Sequence, residues 1–264
     1  MAGPFYESIM KRNTCGIFLL LQIIGLFLLM PGTADGQQSD TFNPPIQKPS
    51  QDSASVWLFP MNEFIYHAEK MPVTKESILG GCATITEGAL AISVMIMALE
   101  VTKSHEKDSV LVQVMNCFID SLKIRQDSLK ELADGDRQLF EKFLQAGHLP
   151  ATTPQEKHIK ELAIYQALLE ATESPINSAR TMLAALSIMN RSIHYCSSVT
   201  LSDGAASASI LEGSLQAVLI IADPDIAGLK EADRPQFRAL RNRYCNEATF
   251  LLGKIKNYVI EKSK

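Results

Sequence analysis

The chain lacks a positive charge balance: 25 Lys and Arg stand against 29 Asp and Glu, giving a net charge of −4. Binding a nucleic-acid backbone needs a basic footprint, so that class of partner is excluded. Clusters such as Lys254 and Lys256 read as one solvated helix face. The usual chemical signatures are missing too. There is no phosphate-cradling GxxxxGK[ST], no GxGxxG, no HExxH and no GxSxG. The five histidines are scattered, and His194 and Cys196, two residues apart, would diverge on a helix, so no metal site is expected. No β-alternating block of useful length occurs, and no short-period repeat.

Cysteine is scarce. Cys15 lies ahead of the N-terminal apolar run, which argues against a lipid attachment there, and Cys82, Cys117, Cys196 and Cys245 follow it. Four cysteines in an exported chain permit two disulfides in three connectivities. Each lies in an apolar helical context where a free buried thiol is common, and a domain of this size needs no covalent staples. That balance favours free thiols.

What is present begins at the N-terminus. Lys11 and Arg12 precede an apolar run from Gly16 to Met30, followed by Pro31 and small residues at Ala34 and Gly36. The pattern is that of a signal peptide cleaved before Gln37, or alternatively of a single uncleaved membrane anchor. Either way the globular part is expected outside the cytosol. Residues 37–55 are polar and Pro-rich and read as a linker.

From Trp57 onward the sequence predicts helix almost throughout, over about 60–70, 80–102, 107–146, 154–172, 176–196, 203–222 and 233–261, each bounded by Pro, Ser, Asp or Gly. The expected fold is all-α, a single antiparallel helical bundle over 56–264. The segment 80–102 is apolar nearly all round, so it should be the central helix or lie in a dimer interface. Its Glu87 and Glu100, with small residues between them, favour a buried soluble helix over a membrane span.

One acid stands in an unexpected place. At about 100° per residue, Leu129, Leu132, Leu139, Phe140 and Phe143 form one apolar stripe, and Asp136 falls near its centre while Asp134 points away. A carboxylate on a core-facing surface is desolvated, which raises its pKa toward the range useful for proton transfer. The alternative is an aspartate satisfied by a nearby Arg, Lys or backbone amide. Gly80–Gly81, before Cys82, would let a ligand approach bare amides at a helix N-terminus, or simply serve a tight turn. Ser202–Asp203–Gly204 offers an N-cap ahead of a run of small residues. Glu212 lies two turns further on, at the border of an apolar face.

These residues, in this order, resemble the folate cyclodeaminase/cyclohydrolase family, which includes the cyclodeaminase half of formiminotransferase-cyclodeaminase and methenyltetrahydrofolate cyclohydrolase. The likeness rests on Asp136 four residues before Phe140, on LPATTPQEKHIKELAIYQALLEATESP, on Ser202–Asp203 through Glu212, and on the opening NEFIYHAEKMPVTKESILGGCA. It covers roughly residues 60–260. The chain departs from the family pattern at Leu79 and Cys82, where a glycine and a serine are usual. It departs again at Ile221–Asp225, which replaces an Asn-Val-x-Ile-Asn motif. The resemblance implies a helical homodimer binding a one-carbon-substituted tetrahydrofolate, either 5-formimino- or 5,10-methenyl-tetrahydrofolate. It implies general acid/base catalysis at Asp136, with Gly80, Gly81, Cys82, Phe140, Asp203 and Glu212 lining the pocket and no metal. The other expectation is a catalytically inactive relative, reused as a helical binding or structural module outside the cytosol.

Overall fold

The structure, a computed structural model, describes residues 61–69, 78–262 and 264. The expected signal or anchor segment at 1–36 and the linker at 37–55 lie outside these residues. The chain divides into two units, Met1–Ser77 and Ile78–Lys264. In the first, helix α1 spans Met61–Glu69 and buries none of its residues.

The second unit contains α2 (Gly80–His105), α3 (Ser109–Gly147), α4 (Pro154–Ser192), a 3₁₀ turn at Ile193–Tyr195, α5 (Leu201–Gly228) and α6 (Arg234–Lys262). The described residues contain no strand. Helices α2 to α5 form a ring in which each packs on the next and α5 returns to α2, while α6 lies against α5 and α4. The short connections make successive helices antiparallel. Gln126 on α3 reaches the Ala89 carbonyl on α2, and Ser207 on α5 reaches the Ala91 carbonyl from the other side. Ile85, Ile92, Met95 and Leu99 of α2 meet Met115, Ile119, Leu122 and Leu129 of α3 and Met182, Leu186 and Met189 of α4 in the core. At Gly204 a Cβ would stand 2.7 Å from Ile193 Cδ1, so this glycine sets how closely the 3₁₀ turn approaches α5.

Local signals account for several helix ends. Thr153 and Glu156 form a capping box ahead of Pro154, fixing the start of α4. Asp108 accepts from the Val110 N–H at the start of α3. Other ends differ from expectation. The two helices expected at 154–172 and 176–196 are one, with Pro175 inside it. Proline forfeits the bond to the Ala171 carbonyl, at a cost near 3 kcal/mol. Yet Ser174, Pro175, Ile176 and Ser178 are all buried, and packing on both flanks outweighs the local penalty. Likewise α5 runs past the expected end at 222, through Pro224 to Gly228. There the freed carbonyl belongs to Ile220, which is exposed and open to water. Neither Ser202 nor Asp203 is the N-cap of α5. Thr200 holds that position, with its hydroxyl bonded to Thr102 at 2.9 Å, and both residues sit in the first turn.

Helices α2 and α5 are each long and apolar enough to cross a membrane, and about half of each apolar window is buried inside the bundle. Their outer faces carry Leu90, Met97 and Val101 on α2 and Ile210, Ile220 and Ile221 on α5, all exposed.

Candidate functional site

The site is built around the N-terminus of α2. A helix start leaves its first N–H groups without intrahelical partners, and a polar N-cap side chain normally serves one of them. Leu79 holds the cap position of α2 and has no oxygen to offer. The missing acceptor comes from α3: the Cys82 N–H donates to the Asp136 carboxylate. The approach is possible only because residue 81 is glycine. A Cβ at Gly81 would lie 2.4 Å from Asp136 Oδ2 and 2.9 Å from its Cγ. From α4, the Ser174 hydroxyl donates to Asp136 Oδ1 at 3.2 Å. Three helices thus hold one carboxyl group.

The forces on that group oppose one another. Burial disfavours the charged form, while the Ser174 and Cys82 hydrogen bonds favour it. Burial wins, and Asp136 is raised above the ordinary carboxylate range. The Cys82 thiol is pushed up to about 12, first by burial, then by the charges of Asp136 and Asp134, with Arg137 opposing. A second acid stands close by on α5. Asp225 is pushed up to about 6 by burial and by the Asp136 charge. Neither Asp136 nor Asp225 belongs to an ion pair among the described residues. Arg137 Nε is buried with no hydrogen-bond partner.

Of the residues singled out in sequence, the structure brings Gly80, Gly81, Cys82 and Asp136 together. Phe140 lies one turn after Asp136 on the same face of α3 and is half-buried. Asp203 is exposed in the first turn of α5. It precedes Asp225 by 22 residues, so it lies about 33 Å from it along the helix, toward the opposite end of the bundle. Glu212 lies between them, its Oε1 accepting from Gln216 and Thr249, turned to α6. Within one chain neither acid joins Asp136. The residue that sequence reasoning missed is Asp225. With α5 expected to stop at 222, its place one turn beyond Ile221 on a shared helix face could not be seen. Among the described residues no three His, Cys, Asp or Glu side chains are grouped to hold a metal. Chemically, the arrangement can take up and release a proton beside a helix N-terminus whose first residue, Gly80, is exposed.

The family described as formiminotransferase-cyclodeaminase matches residues 75–240, a stretch that includes Gly80–Cys82, Asp136, Ser174 and Asp225. The chain belongs to this family. Among characterised relatives, the formimidoyltransferase-cyclodeaminase of Gallus gallus is 25% identical over 136 residues, which is 52% of this chain and 25% of that protein. The matched stretch thus spans about a quarter of the longer relative. Among solved structures, a formiminotetrahydrofolate cyclodeaminase from Thermotoga maritima superposes with a TM-score of 0.68 at 16% identity. The match covers 79% of this chain and all of that one. It establishes the all-α bundle as the family's fold.

Proposed function

We propose that this protein acts on a one-carbon-substituted tetrahydrofolate, with Asp136 as the group that moves protons. The observation carrying this reading is a half-buried carboxyl group, raised in pKa and held by three helices, within the segment matched by the cyclodeaminase family. In the cyclodeaminase direction, N10 of 5-formiminotetrahydrofolate attacks the formimino carbon, whose imino nitrogen is already protonated, and forms a C–N bond. N10 loses its proton, the tetrahedral carbon expels its exocyclic nitrogen as ammonia, and the 5,10-methenyl cation remains. Asp136 takes the proton from N10 and returns it to the departing nitrogen, work suited to an acid whose pKa burial has moved toward neutrality. In the cyclohydrolase direction the same carboxyl group would deprotonate a water adding to the methenyl carbon.

The test follows the methenyl absorbance of the full-length chain given 5-formimino- and 5,10-methenyltetrahydrofolate separately, with Asp136→Asn as control. Turnover abolished in the variant supports the assignment, and its direction names the reaction. Silence with both substrates from a folded protein, or turnover unchanged in Asp136→Asn, refutes it and leaves a non-catalytic family relative.

Two further parts of the reading stand on the sequence. We propose a homodimer, supported by the exposed apolar faces of α2 and α5. Light scattering should give twice the chain mass, and Met97→Glu should halve it. We also propose that Lys11, Arg12 and the apolar run at 16–30 carry the chain out of the cytosol. A reporter fused to residues 1–60 that stays in the cytosol would refute this.

A further inference from the structure

Asp225 is a half-buried carboxyl group that the fold does not use. Two residues before it, Asp223 turns to α6 and pairs with Arg241 through two bonds of 3.0 and 3.1 Å. A step of two residues turns a helix by about 200°, so Asp225 points away from α6. One turn before it on its own face, Ile221 Cδ1 stands 3.7 Å from where a Gly80 Cβ would be. Asp225 therefore sits beside the start of α2, close enough to Asp136 for their charges to repel. Its carboxyl group has no hydrogen-bond donor and no cation among the described residues. A partly desolvated carboxylate beside another carboxylate costs stability. Asp136 can be explained as a cap for α2. Asp225 cannot.

We propose that Asp225 is a working part of the site: its carboxyl group and that of Asp136 both stand at the start of α2, and their combined negative charge selects a cationic, nitrogen-bearing one-carbon group over a neutral formyl group. The choice of a one-carbon folate as ligand rests on the functional reading above; the carboxyl pair does not. A protonated formimino group is a planar amidinium with two diverging N–H groups on its outer nitrogen, and carboxylates accept such N–H groups with short, charge-assisted bonds. A formyl oxygen brings only lone pairs. Toward a charged pair it is repelled.

The groups facing the pair leave it anionic. From α2 comes the Cys82 thiol, protonated far above neutral pH. From α3, Asp134 and Arg137 act on Cys82 with opposite signs. From α4 comes the neutral Ser174 hydroxyl, and on the α6 side Arg241 is already engaged by Asp223. Pushed up to about 6, Asp225 exchanges its proton close to the range where metabolic enzymes work.

The experiment is carboxyl ¹³C NMR of the full-length chain labelled at aspartate, with Asp136→Asn and Asp225→Asn assigning the two resonances. In the wild type one resonance should titrate near 6, vanish in Asp225→Asn and move down toward ordinary aspartates in Asp136→Asn. Formamidinium chloride should shift both resonances, and neutral formamide should not. By thermal shift, 5-formiminotetrahydrofolate should bind about tenfold or more tighter than the 5-formyl compound, a preference lost in Asp225→Asn. An Asp225 that titrates like an exposed aspartate, indifferent to Asp136→Asn, overturns the proposal, as does a pair that ignores formamidinium. A pair that titrates together and takes formamidinium while neither folate binds upholds the cation site and overturns the folate assignment.

Discussion

Replacing Gly81 with alanine tests the geometry on which the site depends. The added Cβ would come within 2.4 Å of Asp136 Oδ2 and 3.0 Å of Oδ1, so the carboxyl group must leave. It cannot swing aside freely, because the Ser174 hydroxyl and the Cys82 N–H both hold it. Overpacking a tight site costs about 1–3 kcal/mol, and lost hydrogen bonds to a charged group cost about 1.5–3 kcal/mol. Alanine returns up to about 1 kcal/mol through its higher helix propensity. The net expectation is a loss of about 2–4 kcal/mol. Urea unfolding should show it as a lower midpoint with an unchanged slope. The matched control is Gly253→Ala in α6, where a Cβ meets nothing within 4 Å and stability should rise by about 0.5–1 kcal/mol. If the protein turns over folate, moving the carboxyl group by about 1 Å should also reduce the rate about a hundredfold. A Gly81→Ala protein as stable as Gly253→Ala would refute the contact between α2 and Asp136.

Three other expectations follow from the same residues. Asp225, at about 6 folded against 3.8 unfolded, contributes stability that is complete below about pH 4 and lost as pH rises through 6. Asp225→Asn should therefore match the wild type at pH 4 and exceed it by up to about 3 kcal/mol at pH 8; equal urea midpoints at both pH values would contradict this. Asp136→Asn keeps a side-chain carbonyl for the Cys82 N–H and Asp136→Ala does not, so the alanine variant should be the less stable by about 1 kcal/mol; equal midpoints would deny the capping role. Finally, iodoacetamide at pH 8 should label the exposed Cys117 and spare the buried Cys82, whose thiolate is scarce with the thiol pushed up to about 12. Peptide mass spectrometry that finds Cys82 labelled first would refute that burial.

The all-α class was legible because hydrophobic periodicity and capping chemistry are local signals, as at Thr153–Pro154 and Gly147. The apolar segment 80–102 packs on α3 and α5, while its outer face, with Leu90, Met97 and Val101, stays exposed. What failed was the reading of proline as a terminator. Pro175 and Pro224 both lie inside helices, because burial in one case and solvent at the freed carbonyl in the other absorb the local cost. That single error hid the most informative acid. With α5 ended at 222, Asp225 belonged to a loop and had no face. Asp203 and Glu212 stood out as a candidate cap and a border glutamate and joined the candidate pocket through the resemblance, and nothing in their own helix could have shown that they lie down the bundle from Asp136.

Asp136 came with two readings, a satisfied core aspartate or a proton-transfer group, and its hydrogen bonds and its raised pKa are compatible with both. A cap for α2 alone has a simpler solution: Ser, Asp or Asn at position 79 would serve the first turn from solvent, without burying a charge. This chain instead places leucine there and brings a carboxylate from α3 through the gap left by Gly81. The hydrogen bonds and the helix dipole that satisfy this carboxylate also fix its position, while burial keeps its proton affinity high. Capping therefore fixes the group in place and desolvation raises its proton affinity. A purely structural origin would require removing the neighbouring acid to be free of functional cost, since among the described residues Asp225 serves no helix end and no ion pair. A stabilised Asp225→Asn protein that loses its preference for cationic ligands would mark the site as kept for chemistry at the expense of stability.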